Sequence, residues 1–364
     1  MFIELNQLLK MAVESKASDV HLTPGRAPSF RINGRMKQIE GDKLTFEDTM
    51  AYARACMDKE KMEHLTSVGE VDFSITVPDV SRFRVNAFFQ RGSIALVFRA
   101  LATKIPTLSD LNLPPVIKQI SEIREGLILV TGPTGSGKST TVASIINEIN
   151  SSIDGHILTL EDPVEYVFNH GKCIVNQREI GHDSKTYNNA LRAALREDPD
   201  VIFIGEMRDQ ESISIAVTAA ETGHLVLSTL HTLGAAKTID RMIDVFPPHQ
   251  QQQIRVQVST ALKAVISQRL IPDKSGKGRV AALEIMVVTP AISNQIREGK
   301  SSAINSSIQM GGAMGMQLLD KSIADLLAED KISIENALEF CVDKEGMNRT
   351  IESIKNRGLS MSPV

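Results

Sequence analysis

Gly132-Pro133-Thr134-Gly135-Ser136-Gly137-Lys138-Ser139 fits G-x-x-x-x-G-K-[ST], the pattern of a phosphate-binding loop. Its flanks carry as much weight as the motif. Leu127-Ile128-Leu129-Val130-Thr131 precedes it, a short apolar run of buried-strand type. Val142, Ile145, Ile146 and Ile149 follow at i, i+3, i+4 and i+7, the stripe of an amphipathic helix. Strand, glycine loop and helix is the context in which backbone N–H groups close around phosphate oxygens and the helix N-terminus adds partial positive charge. Lys138 is then placed to reach the β- and γ-phosphates of a nucleotide, and the Ser139 hydroxyl to ligate Mg²⁺. Thr140 follows directly and joins the candidate phosphate-side residues.

Downstream, short apolar runs alternate with helical segments, which predicts a parallel sheet with crossover helices. The runs are Leu127–Val130, Ile157–Leu160, Val201–Ile204 and Leu225–Leu227. In open α/β sheets ligands bind beyond the carboxyl ends of the strands, so the residues after each run are the candidates. After Leu160 come Glu161-Asp162-Pro163-Val164-Glu165. These carboxylates can orient a water or hold Mg²⁺, or the segment is an acidic loop with Pro163 breaking the strand. After Ile204 come Gly205-Glu206-Met207-Arg208-Asp209. An apolar strand ending in a carboxylate is Walker-B-like, and with Gly205 where an aspartate is commoner, Glu206 must carry the metal role. After Leu225–Thr229 and Leu230 comes His231, a candidate γ-phosphate sensor by hydrogen bond, while His224 is expected at the opposite edge of the sheet. Arg192 and Arg196 lie one helical turn apart and either face solvent or pair with the acidic loop.

Upstream, residues 1–100 read as a small α+β domain. Leu5, Leu8, Leu9 and Ala12 form a helical stripe, Asn33-Gly34 marks a hairpin turn, and one polar helix is expected over 46–65. Arg82-Phe83-Arg84-Val85-Asn86-Ala87-Phe88 alternates as a strand with its arginines on one face, and Arg91 and Arg99 lie near. That face is either solvated or a positive patch aimed at an anion. Residues 101–118, with Pro106, Pro114 and Pro115, read as a linker, and 119–364 as the second domain with a helical C-terminal part. A strand is expected over Arg279–Val288, helices from Pro290, over Leu318–Leu327 and over Ile334–Val342, and a loosely ordered stretch over the last twenty or so residues.

Composition narrows the function classes. The 364 residues are 42% hydrophobic and 23% charged, as in soluble globular proteins. Net charge is −4, aromatics are 4% and tryptophan is absent, which argues against a nucleic-acid motor. Three scattered cysteines, Cys56, Cys173 and Cys341, support neither a zinc ribbon nor a disulfide framework and suit a reducing compartment. The start shows no basic n-region, and no run of about 18 apolar residues occurs.

Assembled, the chain resembles the secretion-ATPase superfamily and, within it, the retraction ATPases of type IV pili. The resemblance covers nearly the whole chain. It rests on Ala17-Ser18-Asp19-Val20-His21-Leu22, Arg82-Phe83-Arg84-Val85-Asn86, the phosphate loop and the Glu161–Glu165 "Asp box". It rests further on Gly205–Asp209, the "His box" from Thr222-Gly223-His224-Leu225 through His231-Thr232, and Ala235–Arg241. It implies a PAS-like N-terminal domain, a RecA-like P-loop ATPase domain and ATP with Mg²⁺ as ligands. It implies a homohexameric ring with nucleotide between the domains, and counter-charge from Arg82, Arg84 and Arg99 and, at the interface, from Arg208 and Arg241. It implies a cytoplasmic motor at the inner membrane, acting on the pilus platform protein so that pilins return to the membrane. The four-cysteine zinc motif and extra N-terminal domain usual in pilus-extension and type II secretion relatives are absent, which favours retraction. The retraction helix Ala-Ile-Arg-Asn-Leu-Ile-Arg-Glu reads here Ala291-Ile292-Ser293-Asn294-Gln295-Ile296-Arg297-Glu298. That departure keeps an accessory ATP-binding paralogue as the alternative to the motor itself.

Overall fold

A computed structural model describes residues 3–32, 34–78, 80–101, 105–276 and 278–356. Asn33 of the expected turn, residues 102–104 of the expected linker and 357–364 of the expected loose terminus lie outside the described residues. The backbone divides into two units, Met1–Lys104 with Glu165–Val167, and Ile105–Val164 with Phe168–Val364.

The first unit runs α1 (Leu5–Glu14), β1 (Asp19–Leu22), β2 (Ser29–Ile32), β3 (Arg35–Gln38), α2 (Phe46–Cys56), α3 (Lys59–Val68), β4 (Glu70–Val77), β5 (Ser81–Gln90) and β6 (Ser93–Ala100). Its six strands form one antiparallel sheet in the order β3-β2-β1-β6-β5-β4. The α1 stripe is buried as its spacing predicts. The single helix expected over 46–65 is two. Asp58 accepts a hydrogen bond from the Lys61 amide at 2.9 Å, an N-cap that starts α3 and ends the first helix.

The second unit continues with α4 (Val116–Ser121), β7 (Gly126–Thr131), α5 (Lys138–Ser152), β8 (His156–Glu161), β9 (Ile174–Glu179), α6 (Tyr187–Ala194), β10 (Val201–Ile204), α7 (Gln210–Glu221), β11 (Leu225–Leu230), α8 (Ala235–Asp244) and α9 (Pro248–Ala261). It closes with β12 (Leu262–Pro272), β13 (Arg279–Val287), α10 (Pro290–Arg297), α11 (Ile304–Met310), α12 (Leu319–Ala328), α13 (Ile334–Phe340) and α14 (Lys344–Asn356). Its sheet order is β13-β12-β7-β11-β10-β8-β9, parallel except for the β12–β13 hairpin. This is the parallel sheet with crossover helices that the alternating runs predict, and it agrees with the RecA-like α/β domain that the resemblance implies. All four predicted runs are strands with fully buried side chains, because helices cover both faces. No helix among the described residues is long and apolar enough to cross a membrane.

The C-terminal expectation is corrected. Residues 344–356 form α14, not a loose tail. Met347, Ile351 and Ile354 are buried in a cluster with Leu319, Ile323 and Leu327 of α12 and Ile271 of β12. Spaced at i, i+4 and i+7, they are the apolar stripe of an otherwise polar helix. Ile351→Ala is expected to cost about 2–5 kcal/mol of stability. Thermal unfolding should show it, with the exposed Met310→Ala as a near-neutral control.

Candidate functional site

The phosphate loop leaves β7 and enters α5 through glycines whose conformations the fold requires. Gly132 has φ 140° and Gly137 has φ 87°, both in the region that disfavours a side chain. Space is equally restrictive. A Cβ on Gly132 would lie 2.2 Å from the Gln268 carbonyl oxygen, and one on Gly137 2.8 Å from Gln268 Nε2. Pro133, Thr134 and Gly135 form the exposed crest of the loop, and Ser139 and Thr140 are half-buried in the first turn of α5. Lys138 is buried and folds back over its own loop, donating to the carbonyls of Gly132 at 2.8 Å and Pro133 at 3.1 Å. The Ser136 Oγ is buried with no hydrogen-bond partner. A loop closed by its own ammonium group, with an unsatisfied hydroxyl inside, suits an anion that offers oxygens to both.

The strand register sets the next residues beside it. Gly132 N donates to Leu230 O at 3.2 Å, which ties the start of the loop to the end of β11. His231 follows, and its Nε2 lies 3.2 Å from Glu206 Oε1 at the end of β10. Arg208 Nε holds the other Glu206 oxygen at 2.8 Å. Thr229 Oγ1 donates to Gly205 O at 2.6 Å and Ser228 Oγ to Ile204 O at 2.8 Å, which lock these two strand ends together. Glu206, Arg208, His231, Thr232 and Arg241 line one depression of about 400 Å³. The fold thus joins three stretches that the sequence keeps apart, around Glu206, His231 and Arg241. His224 lies at the other end of β11, with Nδ1 3.0 Å from Ala219 O, as expected of a structural histidine.

Glu161 ends β8 and is buried. Its Oε1 accepts from Thr159 Oγ1 at 2.6 Å and Gln177 Nε2 at 3.1 Å. Glu165 is exposed and falls in the short segment grouped with the first unit. Arg192 pairs with Glu211, not with the acidic loop, and Arg196 is exposed. In the first unit, Arg84 and Arg99 are cross-strand partners on adjacent strands. Arg99 Nε holds the buried Asp19 carboxylate at 2.9 Å, and Arg84 Nε lies 3.9 Å from Asp72. Burial pushes the Asp19 carboxyl up, but hydrogen bonds from Arg99 and Ser18 outweigh it and hold the pKa below the usual value.

Sequence comparison matches residues 1–338 to the family described as type II/IV secretion system protein. The chain belongs to that family. The type IV pilus retraction ATPase PilT of Pseudomonas aeruginosa is 48% identical, over 93% of this chain and 98% of that one. The type IV pilus ATPase PilU of the same organism is 38% identical, over 92% of this chain and 88% of that one. A crystal structure of the pilus retraction motor PilT with bound ADP has a TM-score of 0.90 at 47% identity, covering 95% of this chain and 99% of that one. The Legionella pneumophila ATPase DotB has a TM-score of 0.80 at 29% identity, covering 96% of this chain and 95% of that one.

Several residues of this secretion-family site are invisible to motif reasoning. Gln268 of β12 donates to Ser136 O and accepts from Thr141 Oγ1, both at 2.7 Å. Ser267 and Glu284 seat the turn after His231, accepting from the Gly234 amide at 2.8 Å and the Ala235 amide at 2.7 Å. Glu179, paired in register with Glu161, accepts from the Val164 amide at 3.1 Å and so supports the acidic loop. The signal available was a buried-strand run interrupted by polar residues, as in Val265-Ile266-Ser267-Gln268.

Tyr187 explains Gly205. A Cβ on Gly205 would lie 2.9 Å from the Tyr187 hydroxyl. That phenol is pushed well above its ordinary pKa by burial and by the Asp162 and Glu161 carboxylates, so it stays neutral. Gly205→Ala should therefore lower the unfolding temperature, and Tyr187→Phe in the same chain should recover part of the loss by removing the obstructing oxygen, the Leu160 carbonyl at 3.3 Å still crowding the added methyl.

Proposed function

We propose that this chain is an ATP-hydrolysing motor that powers type IV pilus retraction and twitching motility. One combined observation carries the reading. A chain matching a retraction ATPase over nearly its full length retains the closed phosphate loop, with Glu206 and His231 bonded at adjacent strand ends. The loop amides and Lys138 bind the β- and γ-phosphates of ATP. Ser139 and Glu206 would hold Mg²⁺, because both offer the oxygen donors that a hard cation requires. Mg²⁺ held by these residues would supply positive charge to offset that of the phosphates, as in-line attack by water requires.

The remaining roles belong to side chains. Glu161 or Glu165 orients the attacking water; buried Glu161 is pre-set by Thr159 and Gln177. His231, bonded to Glu206, senses the γ-phosphate. Arg82, Arg84 and Arg99 are the proposed source of counter-charge from the β5–β6 face, and Arg208 and Arg241 supply it beside Glu206. Further inferences from the family are a homohexamer, a cytoplasmic location at the inner membrane, and action on the pilus platform protein, through which pilins are returned.

The altered retraction helix is compatible with the motor reading. Ser293 Oγ donates to Ser259 O at 2.6 Å, and Gln295 exchanges bonds with Ser307 at 2.9 and 3.1 Å. Both departures are absorbed by contacts within the chain, and Ala291, Asn294, Arg297 and Glu298 remain exposed. An accessory paralogue would bind nucleotide without turning it over.

The decisive test is twitching in a deletion strain complemented with this chain or its Lys138→Ala form, alongside ATPase assays on purified protein. The native chain is expected to restore motility, and Lys138→Ala to lose nucleotide binding and motility together. Glu206→Ala should keep binding but lose about a hundredfold or more in turnover. Arg84→Ala should lower turnover more than affinity; equal losses would remove its transition-state role. Nucleotide binding without hydrolysis by the native chain would select the accessory paralogue instead.

A further inference from the structure

Gln268 touches the phosphate loop at Gly132 and Ser136 and the helix that follows it at Thr141. Its backbone oxygen closes the space over Gly132, its Nε2 donates to Ser136 O, and its Oε1 accepts from Thr141 Oγ1 in the first turn of α5. The residue is buried, as are Ser136 and Thr141. It stands one position beyond the last β7–β12 pair, Thr131–Ser267. The strand next to β7 therefore delivers a side-chain amide into the loop as the loop begins.

Both halves of the amide are used, in opposite senses. The donor pins the loop and the acceptor pins the helix that follows it. Few side chains meet both demands. Asparagine is one methylene shorter, glutamate places an acceptor against the Ser136 carbonyl, and methionine fills the space with neither bond. Gln268 engages the Ser136 carbonyl and Lys138 those of Gly132 and Pro133, so the loop backbone is fixed from two sides.

We propose that Gln268 is a positioning residue that holds the phosphate loop in its binding conformation before nucleotide arrives, so that its amide sets nucleotide affinity rather than the rate of chemistry. The proposal rests on the nucleotide-binding reading above. Ordering a flexible loop at the moment of binding subtracts from affinity, and a loop fixed in advance avoids that cost. The loop serves ATP and ADP alike, so the effect falls equally on both. Interactions equal in ground and transition states change KM and leave kcat alone.

The experiment compares native protein with Gln268→Met, Gln268→Glu and Thr141→Val. Readouts are ATP and ADP affinity by calorimetry, steady-state kcat and KM, and unfolding temperature without nucleotide. Gln268→Met is expected to weaken both nucleotides about tenfold with kcat at saturation within about twofold. Gln268→Glu, which keeps the Thr141 bond but breaks the one to Ser136, should weaken them at least as much. Thr141→Val, which removes the helix bond alone, should weaken them less. Affinities within twofold of native in folded Gln268 variants would overturn the proposal, as would a fall in kcat with affinity unchanged. If neither Gln268 variant folds, Thr141→Val decides: a smaller loss shared equally by ATP and ADP supports the proposal, and unchanged affinity overturns it. Failure of the native chain itself to bind nucleotide would instead remove the function proposed above.

Discussion

The parallel pairing of β7 between β11 and β12 is the constraint on which the second unit depends. β7 pairs from Gly126 to Thr131 with Leu225 to Leu230 on one side. It pairs with Leu262 to Ser267 on the other. Parallel strands in register all end at the same sheet edge, so their following loops must meet there. The phosphate loop, the His231 turn and Gln268 therefore become neighbours through backbone hydrogen bonds rather than through attraction among themselves. The apolar side chains of these strands are buried and supply the hydrophobic drive, at about 1.5–3 kcal/mol for each fully buried large aliphatic.

Polar chemistry is then built on that edge under a strict condition: each buried polar group needs a partner. Glu161 is satisfied by Thr159 and Gln177, and Glu284 by the Ala235 amide at the start of α8. Burial pushes the Glu284 carboxyl upward while that amide counters it. One exception among the described residues is instructive: Ser136 Oγ is buried without a partner inside the loop that must receive phosphate oxygens. Lys138, meanwhile, spends its donors on loop carbonyls. The loop is held in shape by interactions that a ligand can take over, which is compatible with repeated binding and release.

Much of this was legible in the order of residues. The four strand runs, the α5 stripe and the strand-end positions of Glu161, Glu206 and His231 follow from periodicity and from the rule that ligands sit beyond carboxyl ends. Other elements hid for physical reasons. β12 follows α9 directly, Ala261 to Leu262, with no glycine or proline to mark the change from helix to strand. β9 is an edge strand whose Ile174-Val175-Asn176-Gln177-Arg178-Glu179 is mostly polar, so no apolar run announces it. α14 was concealed by its high content of charged residues, although its buried positions keep helical spacing.

By itself the sequence determined the local chemistry: a glycine loop that must bend, a lysine and serine at fixed offsets, and carboxylates placed where apolar runs stop. These features act over a few residues, where backbone geometry alone fixes what is near. Only the tertiary structure decided the partners. Gln268 meets Thr141 across 127 residues and Ser136 across 132, and neither separation leaves a periodic or spaced trace in the chain. The same holds for the Tyr187 hydroxyl that crowds a side chain at Gly205, and for His231, which meets Glu206 across adjacent strand ends. Such contacts are set by strand order and register, and the order β12-β7-β11-β10 is a property of the packed sheet that no single strand encodes.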